Sequence, residues 1–361
     1  FYQRTAETNY NAILVAVDTT PPEISIAIPL ITTEATGVNT VVDLGNVTAT
    51  DLIDGEVDVS SDAPLAFPLG TTVVTYTATD SSGNSTTATQ SVIVIDTSPP
   101  EISIAIPLII TEATAVNSIV ELGNVIATDL VDGVINVNSD APLAFTLGNT
   151  VVTYTATDSS GNTTIATQSV TVIDTTAPEF NPLPEDIDII ANDELNIVNL
   201  GQVQATDIFA VSLTNNAPAV FPVGTTVVTW IATDVNGNSS TVTQTVTLTY
   251  QFVGFVSPLY DGGIYKVNRT LPIKFQLAYA DGSPVTTADA TLSLEHLNNE
   301  GVGGEDIDIS SSSDADSGNA LRYVGNHYTY NLNTSNMSKG NYRLFVYLND
   351  GKSYSIDIVL K

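Results

Sequence analysis

The sequence predicts an all-β chain of tandem antiparallel sandwiches, and three observations carry that prediction. A block of sequence recurs every 78 residues: DTTPPEISIAIPL at Asp18 returns as DTSPPEISIAIPL at Asp96 and, weakened, as DTTAPEFNPLP at Asp174. A fixed period of this length marks an array of similar modules rather than one large core. Within each block the segments are short, rich in Val, Ile, Thr and Tyr, and alternate with period two, as in Thr72-Val73-Val74-Thr75-Tyr76-Thr77-Ala78-Thr79, the pattern of strands buried on one face. No stretch shows a helical period of useful length.

The period sets the divisions. Residues 1–17 precede the first block, residues 18–95, 96–173 and 174–249 are the three blocks, and residues 250–361 form a fourth module of different sequence. Turn signals at Pro21-Pro22, Gly45, Gly55, Pro64, Pro68-Leu69-Gly70 and Ser82-Gly83-Asn84 leave room for about six to eight strands per block, which suits a sandwich of immunoglobulin type. The alternation points Val74, Tyr76 and Ala78 into the core and the intervening threonines to water. Tyr76, Tyr154 and Trp230 share one repeat position and read as core aromatics rather than a sugar-stacking ladder.

The stretch before the first block carries a second expectation. Asn11, Ala12, Ile13, Leu14, Val15, Ala16 and Val17 stand where the closing strand of a preceding block would be, as Gln90 to Ile95 stand before Asp96. A lone apolar strand needs a partner. The spacing predicts donation to a neighbouring copy, joining copies head to tail by strand addition. A truncated upstream repeat and a strand folded onto its own domain are the alternatives.

Composition narrows the partners and the compartment. Forty Asp and Glu against nine Lys and Arg give a net charge of −31, which repels nucleic acid and anionic lipid. No run reaches the roughly 18 to 20 apolar residues of a membrane-spanning helix. Cysteine is absent, so neither disulfides nor thiolate metal sites contribute. A first residue that is not Met implies a removed leader, and export to the extracellular space or cell surface fits seven N-x-[ST] sequons, at Asn46, Asn84, Asn162, Asn238, Asn268, Asn333 and Asn336, as possible glycosylation sites.

The recurring acids are the candidate chemistry. In an immunoglobulin-type topology the start of the first strand and the B–C and F–G loops share one pole, which gathers Asp18, Asp51, Asp54 and Asp80 in the first copy. Asp96, Asp129, Asp132 and Asp158 follow in the second, and Asp174, Asp207 and Asp234 in the third, where Ala210 replaces the fourth acid. Carboxylates gathered at a domain junction suit Ca²⁺; aspartates in D-x-x-D-G and D-x-x-G-N contexts also cap their own turns, and the sequence leaves both readings open. Asp314 to Asn319 reads as an acidic loop. His296 and His327 are the only histidines, without zinc-ligand spacing, and no G-x-S-x-G or phosphate loop occurs, so the chain reads as no enzyme. Tyr260, Tyr265, Tyr323, Tyr328 and Tyr330 read as exposed aromatics for intersubunit or glycan contact.

Two stretches resemble known families. FPLGTTVVTYTATDSSGN at Phe67 to Asn84 and FPVGTTVVTWIATDVNGN at Phe221 to Asn238 resemble the signature of the hyalin repeat, or HYR, domain; the middle copy departs with Thr146 and Asn149. The resemblance covers residues 18–249 and implies an immunoglobulin-like fold in extracellular, adhesion-associated proteins without catalysis. Pro272-Ile273-Lys274-Phe275, with GNALRY at Gly318 and HYTYNLNT at His327, resembles the PxKF domain, which implies a β-sandwich near the carboxyl end of secreted prokaryotic proteins. Together these readings describe an extracellular structural subunit that polymerises with copies of itself into a surface filament stiffened by Ca²⁺. A rod-like adhesin presenting a terminal domain to a surface glycan or protein, and the noncatalytic tail of a secreted enzyme, are the alternatives.

Overall fold

A computed structural model describes residues 17–298 and 303–361. Among them every regular element is a β-strand, and the chain divides into two compact units, the first ending at Asp174 and the second running from Thr175 to Lys361. Of the expected donor strand, Asn11 to Ala16 lie outside the described residues; Val17 is exposed and outside any strand.

The first copy shows how each repeat is built. Its strands are β1 (Glu23–Ile26), β2 (Leu30–Glu34), β3 (Asn39–Thr40), β4 (Val47–Asp51), β5 (Gly55–Val57), β6 (Val59–Ser61), β7 (Phe67–Pro68), β8 (Gly70–Thr79) and β9 (Ser85–Ile95). One sheet has the order β1-β4-β5 and the facing sheet β2-β9-β8-β6, with β2 parallel to β9 and the other pairs antiparallel. The stretch from Gly55 to Ser61 pairs first with β4 and, past Asp58, with β8, so it stitches the two sheets together. Period-two alternation along β8 buries Val74, Tyr76 and Ala78, against Phe67, Val92 and Val94. The second copy repeats this order, and the third keeps a four-stranded sheet of Ile187–Ile190, Ser239–Thr249, Gly224–Asp234 and Val211–Asn215.

One buried polar residue ties each sandwich together. Gln90 is fully buried; its side-chain oxygen accepts the Tyr76 hydroxyl at 2.6 Å, and its amide donates to the carbonyls of Ile28 at 2.6 Å and Leu44 at 2.9 Å. Gln168 does the same with Tyr154 and the carbonyls of Ile106 and Leu122. In the third copy the Trp230 indole N–H replaces the phenol, 3.1 Å from the Gln244 oxygen, while the amide reaches the carbonyls of Glu185 and Leu200. Tyr and Trp exchange here because each offers an apolar ring for the core and a donor at its edge.

The two units differ in how neighbouring modules meet. In the first, Val131 of the second copy packs against the first copy's core, and Glu34, at the end of β2, accepts the backbone N–H of Thr97 at 2.7 Å and the hydroxyls of Thr97 and Ser98. In the second, one apolar cluster runs from Phe221, Trp230 and Leu248 through Tyr250 to Ile273, Phe275 and Leu344 of the last module. There the Ala280 N–H donates to Ala191 O at 2.9 Å, and the Tyr250 N–H donates to Asp350.

The last module stacks a four-stranded sheet, which includes Thr270–Ala278 and His327–Asn333, on a five-stranded sheet that includes Ala290–Leu297, Gly340–Leu348 and Ser353–Leu360. Ile273, Phe275 and Leu277 face inward as the alternation requires. The reading of the tyrosines as an exposed set fails for Tyr328 and Tyr330, which are fully buried. Both point into the sandwich and satisfy their hydroxyls on the backbone, at the Ala288 N–H and the Gly318 carbonyl. Tyr265 and Tyr323 are half-buried, and Tyr260 alone of the five is exposed.

Replacing Gln168 by Leu leaves the Tyr154 hydroxyl and two backbone carbonyls without partners and is expected to cost about 2 to 4 kcal/mol, whereas Tyr154→Phe removes one donor and costs about 1 to 2 kcal/mol. Chemical denaturation of the full chain checks the order. Equal losses for both variants would contradict the three-way role of the glutamine.

Candidate metal centres

Each pole is assembled from strand ends. β4 runs out at Asp51, β8 ends one residue before Asp80, and Asp18 leads into the first strand. The backbone N–H groups freed where the strands stop are taken up by these carboxylates, which is why Asp recurs there. Asp51 accepts the N–H groups of Ile53 at 2.7 Å and Asp54 at 3.1 Å, and Asp54 accepts the N–H and hydroxyl of Ser81 across the pole. Asp80 accepts the backbone N–H of Asn84 at 2.8 Å and its amide at 2.7 Å, and that same amide donates to the Asp18 carbonyl.

After these bonds, one oxygen each of Asp18, Asp51 and Asp54 lies within 4.8 Å of the others. Asp18 Oδ1 is held by the N–H and hydroxyl of Thr20. Its Oδ2 is buried and has no hydrogen-bond partner. A buried, unpartnered carboxylate oxygen beside two further carboxylates is a site whose chemistry fits a hard cation. Asp80, the fourth acid expected here, is outside this triad.

The second copy draws a different three from its four: oxygens of Asp96, Asp129 and Asp158 come within 4.8 Å, while Asp132 is held by the N–H and hydroxyl of Ser159. Asp129 caps Val131 and Asp132, and Asp158 is held by Asn162. In the third copy Asp207 caps Phe209 and Asp234 caps Asn236 and Asn238, both within the second unit; Asp174 is the last residue of the first unit.

Three further positions show what recurrence alone means. Asp62 and Asp140 accept the N–H groups of Thr75 and Thr153 at 2.7 Å, and Asn216 accepts Thr229 at the same distance in the third copy. A neutral amide serves equally, so this recurring acid is retained for an acceptor and not for a charge. Glu34, absent from the sequence candidates, holds the link between the first two sandwiches; the Thr97 N–H chiefly keeps its carboxyl below the ordinary value against the opposing effect of burial.

The sequons divide by the same logic. The amides of Asn84, Asn162 and Asn238 are bonded to Asp80, Asp158 and Asp234, so a glycan there would displace the bond that closes the F–G turn. Asn46, Asn268 and Asn336 are exposed, and Asn333 is half-buried.

The same turns have an acid-sensitive signature. Burial pushes the carboxyls of Asp80, Asp158 and Asp234 upward, but the hydrogen bonds from Asn84, Asn162 and Asn238 and from the turn N–H groups outweigh it and hold all three low. A carboxyl with a depressed folded-state pKa stabilises fully above its unfolded value of about 3.9 and loses that contribution as pH falls through the folded value. The melting temperature is therefore expected to fall below about pH 4, and less steeply when Asn84, Asn162 and Asn238 are all changed to Ala. Parallel acid limbs for the two proteins would contradict the assignment.

Comparison with known proteins agrees with this architecture. The HYR domain model matches residues 17–94 and 95–172. Hyalin of Lytechinus variegatus is 36% identical over 257 residues, 62% of this chain and 46% of that protein, and hyalin of Strongylocentrotus purpuratus is 32% identical over 265 residues, 65% of this chain and 21% of that protein. The chain thus spans less than half the length of either relative. The protocadherin gammaB7 EC3-6 cis-dimer structure superposes over 94% of this chain and 100% of that chain, at 14% identity and a TM-score of 0.28. Sidekick-1 immunoglobulin domains 1–5 superpose over 94% and 80%, at 12% and 0.26, values too low to carry an argument. The repeated strand order and the matched family model thus agree on two tandem HYR domains, over residues 17–94 and 95–172.

Proposed function

We propose that this chain is a noncatalytic, extracellular structural segment of the adhesion type, in which Ca²⁺ held by the repeat poles fixes successive sandwiches relative to one another. The observation that carries the proposal is the place of the second triad. Asp129 lies two residues before Val131, which packs on the first sandwich, and Asp96 immediately precedes the Thr97 and Ser98 held by Glu34. A cation on Asp96, Asp129 and Asp158 would bind beside the junction and stiffen it. The Asp18, Asp51 and Asp54 triad, with its unpartnered oxygen, would take the same ion.

Assembly is the second part of the proposal. Copies would join head to tail through the strand Asn11 to Val17 of one chain, entering a sheet edge of the next. Each repeat's own closing strand is already paired on both sides, as β9 is between β2 and β8, so the repeats offer no vacancy at that position. The edge strand Gln251–Phe255 is different. It borders an open groove of about 450 Å³ lined by Phe252, Phe255, Leu259, Tyr354 and Ile356, and we assign it as the acceptor. On the Pro272 to Phe275 motif, we place this module with PxKF-type domains.

Two measurements test the two parts separately. With Ca²⁺ about a hundredfold above its Kd, each site adds about 2.7 kcal/mol, read as a rise in melting temperature that EDTA reverses. Joint Asp129→Asn and Asp158→Asn changes should remove a share of that rise, and an unchanged rise excludes these residues as ligands. For assembly, negative-stain images should show fibres that vanish when residues 1–17 are deleted; fibres that persist would rule out strand donation, and isolated particles from the intact chain would favour the adhesin reading.

A further inference from the structure

The basic residues of this chain are distributed as unevenly as its acids are dense. Between Asp18 and Thr249 there are 27 Asp and Glu and no Lys, Arg or His, while eight of the nine Lys and Arg lie in residues 250–361. The sandwich array therefore contains no cation able to neutralise its own carboxylates. Two arrays repel each other, so copies that associate through an array need a positive group from elsewhere.

The last module gathers such groups at one end. Among the described residues the two ion pairs are Arg322 with Asp316 and Arg343 with Asp357, which leaves six cations of this module outside an ion pair: half-buried Lys274, exposed Lys352, and Lys266, Arg269, Lys339 and Lys361, all four exposed. The backbone holds these last four together around the fully buried Thr334. The Thr334 hydroxyl donates to the Arg269 carbonyl at 2.7 Å and its N–H donates to the same oxygen at 3.1 Å, while the Arg269 N–H donates to the Thr334 hydroxyl oxygen at 3.0 Å. The Lys361 N–H donates to Tyr265 O and its carbonyl accepts the Val267 N–H, which brackets Lys266. Gly340, next to Lys339, pairs with Leu360, next to Lys361. The strand Thr270–Ala278 runs from this end to the opposite one, where Ala280 bonds to the third sandwich. The four cations thus stand on the end of the module away from the third sandwich.

We propose that this basic end is a docking surface for the acidic sandwich array of a second copy of the chain. Its partner is chosen by charge: a surface of four unpaired cations, on a chain whose residues 18–249 are anionic and cation-free, meets its complement in that same array. The contact is independent of strand donation, since none of its residues lies in positions 1–17.

Sedimentation velocity of the full chain in EDTA, which removes divalent bridging, tests the contact. Larger species are expected at about 0.02 M NaCl, with apparent affinity at least roughly tenfold weaker at about 0.5 M. In the chain lacking residues 1–17, which has no strand to donate, the variant Lys266→Glu, Arg269→Glu, Lys339→Glu, Lys361→Glu should keep its circular-dichroism melt yet stay monomeric at both salts. Mixed with the unaltered chain it should still be bound, because its array is intact. Deleting residues 1–17 should leave the salt-dependent association in place, so its loss in the charge variant and the loss of fibres in the deletion report on different contacts. With residues 1–17 deleted, association that ignores salt, or that survives in the charge variant, overturns the proposal. So does an unaltered chain that stays monomeric but binds heparin or phosphatidylserine vesicles, which would give the basic end another partner.

Discussion

A buried glutamine is the constraint from which each repeat can be derived. Gln90, Gln168 and Gln244 sit in the strand that closes each copy, and each bonds an aromatic on the neighbouring strand and two carbonyls from segments that cross from one sheet to the other. A core this small has few apolar residues per sandwich, and apolar contact alone is indifferent to register. A buried amide is not indifferent, since shifting the strand by one residue would turn it to solvent and strand the donors and acceptors it serves.

From that register the pole follows. Val74 pairs with Gln90 and Thr79 with Ser85, so fixing the glutamine fixes where the hairpin turns, and the turn places Asp80 against Asn84 and Asn84 against the Asp18 carbonyl. On the other side of the same strand, the parallel pairing of β2 sets Glu34 beside Ile95, within reach of Thr97. One strand's register thus determines both the acidic pole of a copy and the clamp that holds the next. The junction is an extension of the core rather than a separate device.

The sandwiches, their inward faces and the pole were legible because period two and a fixed repeat frame check each other. Val74, Tyr76 and Ala78 could be placed inside from their spacing, and the Tyr to Trp exchange marked a core position, although the donor function that permits it needed the glutamine. Which acids meet was not legible. Asp54 and Asp132 occupy the same place in the motif, yet only Asp54 joins its triad, and Asp80 and Asp158 differ in the opposite sense. Ser81 and Ser159 hold Asp54 and Asp132 alike, and Asn84 and Asn162 hold Asp80 and Asp158 alike, so neither the motif nor these local bonds separate the acids that meet from those that do not. The last module lacked a repeat to fix its frame, and there Tyr328 and Tyr330 were assigned to the wrong face. Recurrence itself was the weakest guide to chemistry: Asp62, Asp140 and Asn216 recur for a hydrogen bond that needs no charge.

The absence of Lys, Arg and His from residues 18–249 explains how these carboxylates are managed. Without cations, the array stabilises its ionised groups with donors from Asn, Ser, Thr and the backbone, which is why Asp80, Asp158 and Asp234 titrate low although no positive side chain is near them. Hydrogen bonds of this kind satisfy an oxygen locally but leave its net charge in place. Each sandwich thereby keeps a net negative charge that repels the array of another copy, and the repulsion is longest ranged where salt is low. Glu34 and Val131 order the first two sandwiches by hydrogen bonds and apolar contact, whereas ordering the array of one chain against that of another must then draw on positive charge from outside the array. The proposed divalent ion at the poles and the proposed docking at the basic end of the last module would be two answers to that requirement, and both would make assembly a property of the ionic surroundings as much as of the chain.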